Sequence, residues 1–243
     1  MKKLKIILSG YGKMGKEVEN IARERGHDIV AKIDNEDDWK DFLNVTAKKG
    51  NVVIDFSMPE VAIENFKKCF DAGLPVVTGT TGWYNKKDKV FRMVAEKDAA
   101  FFYAPNFSMG VNIFFYINRK LAEVMNRVEG YKVTMREIHH IHKLDAPSGT
   151  AIKLAEDIVK KMSNLTGWSA DKKNEKKIPI ISVRKGEVTG IHEVKWQSEY
   201  DEIFLKHEAK NRKGFALGAV VAAEFLVNKK GVYTMDDMLN FDA

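Results

Sequence analysis

The chain has 243 residues, 44% hydrophobic and 30% charged, with a formal net charge of +6; this length builds one large domain or two small ones, and the balance excludes a disordered chain. No apolar run approaches the roughly 20 residues of a membrane-spanning helix, and the single cysteine, Cys69, excludes an internal disulfide and a thiolate metal cage. The basic residues are interleaved with acids, without an aromatic-basic stripe, so neither nucleic acid nor a membrane is an expected partner.

The opening MKKLKIILSG carries too short an apolar run for a signal peptide, and a cytoplasmic protein is expected. Up to Ala104 the chain alternates short β-branched runs with amphipathic ones: LKIIL, MGKEVENIARERG, DIVAKI, NVVID, PEVAIENFKKCFDAG, PVVTG and AAFFYA. Strands alternating with helices predict a parallel sheet covered on both faces. Ser57 and Pro59 suit the N-cap and first turn of the helix over EVAIENFKKCF, and Gly73 suits its end.

Directly after the first run comes SGYGKMG, with Gly10, Gly12 and Gly15 in G-x-G-x-x-G spacing around Tyr11, Lys13 and Met14. A strand before it, a helix after it and Asp34 about 20 residues on form the dinucleotide-binding pattern. Glycine permits a tight turn and close approach to a pyrophosphate, and the helix N-terminus offers free N–H groups to it. Asp34 is placed to accept hydrogen bonds from ribose hydroxyls; its charge favours NADH, while Lys13 and Lys16 leave NADPH open. Two further turns, TGTTGW with Gly79, Thr80 and Thr81, and APNF with Ala104, Pro105, Asn106 and Phe107, end the next strands and are expected at the same crevice.

Beyond Asn106 the pattern changes. A long apolar-periodic helix from about Met109 to Val128 leads into YKVTMREIHHI, which alternates as a strand, and Ser148 caps a helix reaching about Met162. DKKNEKK, Asp171 to Lys177, reads as a solvated loop, and IPIISVR, IHEVKWQS and DEIFLKHEA read as strands of a mixed or antiparallel sheet. The final apolar helix, FALGAVVAAEFLV, is expected to pack back on the first domain. The predicted fold is α/β: a discontinuous Rossmann-type dinucleotide-binding domain over residues 1–106 and 213–243, and an α+β domain with a mixed or antiparallel sheet over 107–212.

The stretch EIHHIHKLDAPSGTA, Glu137 to Ala151, concentrates three of the six histidines. On a strand, Glu137, His139 and Ile141 face one way, and Ile138, His140 and His142 the other. His140 and His142 would hold zinc only with a distant third ligand, and no H-E-x-x-H helix or cysteine pair supports that, so no metal is expected. Ser148, Gly149 and Thr150 open a helix whose N–H groups, with the Thr150 hydroxyl, His140 and Lys143, suit a carboxylate. His139 is then free for proton transfer.

The same stretch resembles the signature of the 4-hydroxy-tetrahydrodipicolinate reductase (dihydrodipicolinate reductase) family, and GYGKMG, VIDFS, GTTG, APNFSMGVN, SVRKGEVTGIHEV and HEAKNRKGFALGA resemble further family blocks in the family's order. The resemblance implies NADH- or NADPH-dependent reduction of a cyclic imine dicarboxylate in diaminopimelate and lysine biosynthesis by a homotetramer, with residues 107–212 as the substrate-binding and oligomerisation domain. It places His139 at the proton donor/acceptor position, Lys143 at a proton-donor position, and His140, Gly149 and Thr150 at substrate positions. Gly10 to Met14, Asp34, Gly79 to Thr81 and Ala104 to Phe107 fall at cofactor positions. The glycine loop is one residue shorter than the family's G-x-x-G-x-M-G, and no arginine follows Asp34.

Overall fold

Alternation within the early strands decides the architecture. The computed structural model describes residues 2–170 and 174–241. In chain order the elements are β1 (Lys5–Ser9), α1 (Lys13–Glu24), β2 (Asp28–Ile33), α2 (Glu36–Lys40), β3 (Val52–Asp55), α3 (Pro59–Asp71), β4 (Val76–Thr78), α4 (Lys87–Glu96) and β5 (Ala100–Tyr103). They continue with α5 (Met109–Met125), β6 (Lys132–His139), α6 (Gly149–Val159), β7 (Gly167–Ser169), β8 (Lys177–Arg184), β9 (Ile191–Gln197) and β10 (Glu202–Glu208). The last are α7 (Lys213–Leu226), β11 (Gly231–Tyr233) and α8 (Met235–Leu239). Two compact units result: Met1–Met109 with Lys213–Ala243, and Gly110–Arg212.

In the first unit six parallel strands lie in the order β11-β5-β4-β3-β1-β2. Successive strand residues point to opposite faces, so Ile6, Leu8, Val52, Ile54, Val77 and Phe102 join one core and Ile7, Val53, Val76 and Phe101 the other. The first core takes its helical side from α1 and α7, the second from α3 and α4. α7 is apolar on nearly every side, burying Ala216, Gly218, Ala219, Val220, Ala222, Ala223 and Leu226. A Cβ on Gly218 would lie 1.7 Å from the Phe107 carbonyl oxygen, so glycine is what lets α7 approach the turn after β5.

The second unit carries a mixed sheet in the order β10-β9-β6-β8-β7. β6 runs antiparallel to β9 and parallel to β8, β9 is antiparallel to β10, and β7 is parallel to β8. Its core joins Met135, Ile180, Val194 and Trp196 of the sheet to Phe114, Phe115, Leu154 and Ile158 of α5 and α6. The side-chain N–H of Asn118, buried on α5, donates to the Leu154 carbonyl of α6 at 3.1 Å.

Several boundaries differ from the sequence expectation. Met58, not Ser57, is the N-cap of α3, because Pro59 takes the first helical position; the Ser57 hydroxyl instead accepts from Asn65 at 3.4 Å. α5 ends at Met125 and α6 at Val159, each short of the periodic apolar pattern. β6 stops at His139, and the Lys143 N–H bonds back to the His140 carbonyl at 3.2 Å, so the strand alternation does not extend to Ile141 and His142. In the lysine-rich run, Asp171 to Lys173 lie outside the described residues, and Asn174 to Lys177 are exposed.

Candidate functional site

β2 and β3 flank β1 on opposite sides, so the winding of the first sheet reverses there. Ligands of open α/β sheets sit at the carboxyl ends of strands at such a switch point. A cleft of about 390 Å³ occupies that place, lined by Gly10, Gly12, Asp34, Trp39, Phe56 and Asn65 among others. Gly10 has φ +86°, and a Cβ on it would lie 2.3 Å from the Phe56 carbonyl oxygen. A Cβ on Gly15 would lie 2.3 Å from the Gly10 carbonyl oxygen, so α1 packs hard against the turn. Gly12 is the N-cap of α1 without a side-chain cap, and the first turn holds no acidic residue, which suits the helix terminus to an anion. Asp34, exposed just beyond β2, accepts the Tyr11 backbone N–H at 2.7 Å. The Tyr11 ring lies under Lys32 Nζ at 4.2 Å, and its hydroxyl meets buried Glu19. Burial pushes the Glu19 carboxyl up, but hydrogen bonds from Lys32, Tyr11 and Arg23 outweigh it and bring it to about 2.

The register aligns the carboxyl ends of four strands, with Ser9 beside Asp55, Asp55 beside Thr78, and Thr78 beside Tyr103. The buried Asp55 carboxylate accepts hydroxyl hydrogen bonds from Ser9 (2.7 Å), Thr78 (2.9 Å) and Thr80 (2.7 Å), tying the glycine turn to the Gly79–Thr81 turn. Burial pushes the Asp55 carboxyl up, and the hydroxyl hydrogen bonds act against that. The Phe56 ring fills the space beneath these turns: a Cβ on Gly79 would lie 2.1 Å from it, and it packs edge-on to Phe107 at 5.9 Å. Ala104 and Phe107 are buried, Thr81 and Pro105 exposed, and Asn106 accepts the Ser108 N–H at 2.8 Å. Thus Gly10 to Gly15, Asp34, Gly79 to Thr81 and Ala104 to Phe107 share one edge of one sheet.

In the second unit the pairing of β6 with its neighbours builds a polar cluster. His139 is beside Arg184 of β8, and Glu137 is opposite His192 of β9. Glu137 and His139 are two apart on one strand and share a face, and the Glu137 carboxylate meets His139 Nδ1. The His139 and His192 rings stand edge to face at 5.1 Å. His192 Nε2 and the Ser148 hydroxyl are 3.0 Å apart. Burial drives the His192 imidazole down to about 3, with charge at His139 adding to it, so His192 stays neutral. Ser148 caps α6 by accepting the Ala151 N–H at 3.2 Å, worth about 0.5–2 kcal/mol. With that hydroxyl engaged, the N–H groups of Gly149 and Thr150 are the free donors of the helix terminus.

His140 is half-buried and sits 6.2 Å from the His142 ring, centroid to centroid, whereas His142 is exposed. Lys143 Nζ donates to Asp145 at 2.7 Å and holds that carboxyl below its ordinary range. The second unit thus brings together His139, Ser148 and, through the chain of Arg184, the Lys143 backbone. Among the described residues no group of three or more His, Cys, Asp or Glu side chains is arranged to hold a metal ion. Sequence reasoning assigned no role to Asp55, Phe56, Arg184 and His192, whose partners Thr78, Gly79, Lys143 and Ser148 lie 23 or more positions away in the chain. Glu137 was legible, because strand alternation already put it on the face of His139.

Comparison with known proteins agrees over both units. Residues 4–107 match the family model described as dihydrodipicolinate reductase, N-terminus, and residues 110–239 match dihydrodipicolinate reductase, C-terminus. A 4-hydroxy-tetrahydrodipicolinate reductase of Christiangramia forsetii is 47% identical over 98% of this chain and 98% of its own. One from Methanopyrus kandleri is 40% identical over 79% of this chain and 72% of its own. A dipicolinate-bound dihydrodipicolinate reductase structure from Paenisporosarcina sp. TG-14 has the same fold, with TM-score 0.80, 23% identity, and coverage of 97% of this chain and 99% of that one. The chain belongs to the dihydrodipicolinate reductase family.

Proposed function

We infer that the chain reduces 4-hydroxy-tetrahydrodipicolinate to tetrahydrodipicolinate with NADH or NADPH, a step of diaminopimelate and lysine biosynthesis. One observation carries this reading: 47% identity to a reductase of that name over 98% of both chains. The glycine turn fits the pyrophosphate of a dinucleotide, since Gly10 and Gly15 leave no room for a Cβ and the α1 terminus is uncapped. The glycine turn and Asp34 would hold a reduced nicotinamide dinucleotide, which would supply hydride for ring carbon 4 of the substrate. Asp34 orients a ribose, and Asp55 and Phe56 hold the turns in register. In the second unit Gly149 and Thr150 N–H groups, with His140 and Lys143, bind the substrate carboxylates. His139 delivers the proton that balances the hydride, with Lys143 assisting, and water is the leaving product.

The mixed sheet assembles four copies, and the enzyme works in the cytoplasm; among the described residues no helix is long and apolar enough to cross a membrane. The test is loss of absorbance at the reduced nicotinamide band with freshly generated substrate, run separately with NADH and NADPH and repeated with a chelator. Oxidation of either cofactor, indifferent to the chelator, is expected. No oxidation of either would sink the reading, and chelator-sensitive activity would point to a metal enzyme. Sedimentation equilibrium giving a monomer would remove the tetramer alone.

A further inference from the structure

Glu137 is fully buried, and its two oxygens are divided: one meets His139 Nδ1, and the other accepts from Arg184 Nη1 at 3.0 Å. Burial pushes its carboxyl up, but hydrogen bonds from His139, Ser182 and Arg184 outweigh it and bring it to about 2. An ionised carboxylate only accepts, so the imidazole nitrogen facing it must be the donor. The same guanidinium reaches further: Nε donates to the Lys143 carbonyl at 3.2 Å, Nη2 to the Asp145 carbonyl at 2.6 Å, and Nη1 to the Val183 carbonyl at 2.8 Å. A lysine ammonium lacks the planar fork needed to span these acceptors. The opposite ring edge is set by Gly190, where a Cβ would lie 3.1 Å from His139 Nε2.

We propose that Glu137 and Arg184 form a positioning pair for proton transfer: Glu137 fixes a proton on Nδ1 of His139 so that Nε2 faces the substrate, and Arg184 holds both Glu137 and the backbone of the Lys143 loop. The inference rests on the role given above to His139. In the step itself the Nε2–H bond breaks, the proton bonds to the substrate, the electron pair stays on Nε2, and the Nδ1–H stays with Glu137. Neither Glu137 nor Arg184 need touch substrate, in the manner of outer residues that orient a reacting group.

Nitrogen-15 NMR of the full-length protein, with the His139 signal identified by its loss in His139→Asn, tests the pair directly. Once the pH is raised until the ring is neutral, the proton is expected on Nδ1; a bare Nδ1 there overturns the proposal. Glu137→Gln keeps the size but lets the side chain donate or accept. It is expected to mix the two tautomers and lower kcat about 10²-fold, with KM for NADH within about twofold. Arg184→Lys is expected to lower kcat and raise KM for the imine. A folded Glu137→Gln enzyme with ordinary kcat and one tautomer also overturns the pairing, and if that variant does not fold, the wild-type spectrum and Arg184→Lys decide. Absence of both NADH and NADPH oxidation by the wild type would instead defeat the functional reading, leaving the NMR result to stand separately.

Discussion

The proposed reaction assigns proton transfer to His139, whose neighbours are Glu137, His192 and Arg184, and cofactor binding to the first unit. His139→Ala is expected to lower turnover by roughly 10²- to 10⁴-fold while the dissociation constant for NADH, from fluorescence titration, stays nearly constant. Lys143→Ala is expected to raise KM for the imine as well as lower kcat, because a carboxylate clamp acts in the ground state too; an unaltered KM would remove that role. His192 gives a pH prediction. Its ordinary value is 6.5 and the fold brings it to about 3, so between these values the unfolded chain binds a proton that the native chain refuses. Its contribution is therefore intact above about pH 6.5 and lost as pH falls toward 3, at up to about 1.4 kcal/mol per pH unit. Glu137 acts with the same sign in a lower window, from 4.5 down to about 2. Thermal melts across the upper window should show a flatter decline for His192→Gln than for the wild type, and equal slopes would contradict the buried neutral state.

At the scale of elements, α7 is the piece most sensitive to one atom. Gly218→Ala would drive a methyl into the Phe107 carbonyl, 1.7 Å away, displacing either the helix or the turn that follows β5. A loss of about 1–3 kcal/mol or more in urea unfolding is expected, together with weaker NADH binding; unchanged values of both would mean that α7 is free to slide. The parallel sheet, the glycine turn and the capped α6 were legible because each has a local signal: β-branched runs, fixed glycine spacing, and a serine before an apolar helix. Ser57 misled because a serine beside Pro59 satisfies the capping pattern, and only the fold directs its hydroxyl elsewhere. β7 and β11 are three-residue strands, too short for any periodicity, and exist because β8 and β5 offer edges to pair with. The Glu137–Arg184 pair was illegible for a different reason: 47 positions separate its members, and strand register alone joins them.

For the whole molecule the governing fact is that one unit is continuous and the other is not. Gly110–Arg212 owns its sheet and its core, so a fragment of those residues is expected to unfold cooperatively in a thermal melt and to bind no NADH. A chain cut after Arg212 lacks α7 and β11, which supply part of the helical side of the first core and an edge of its sheet. It is expected to lose the native transition of that unit, and retention of NADH binding by such a chain would contradict the assignment of the final segment. The interruption also matters on the ribosome. About 100 residues separate Met109 from Lys213, so at ordinary elongation rates roughly 5–20 s pass between synthesis of the amino-terminal strands and arrival of the helix that covers them. Throughout that interval Leu8, Ile54 and Phe102 lack their α7 cover, which makes the nascent chain a natural client for chaperones and delays its first grip on a nucleotide until α7 has been made.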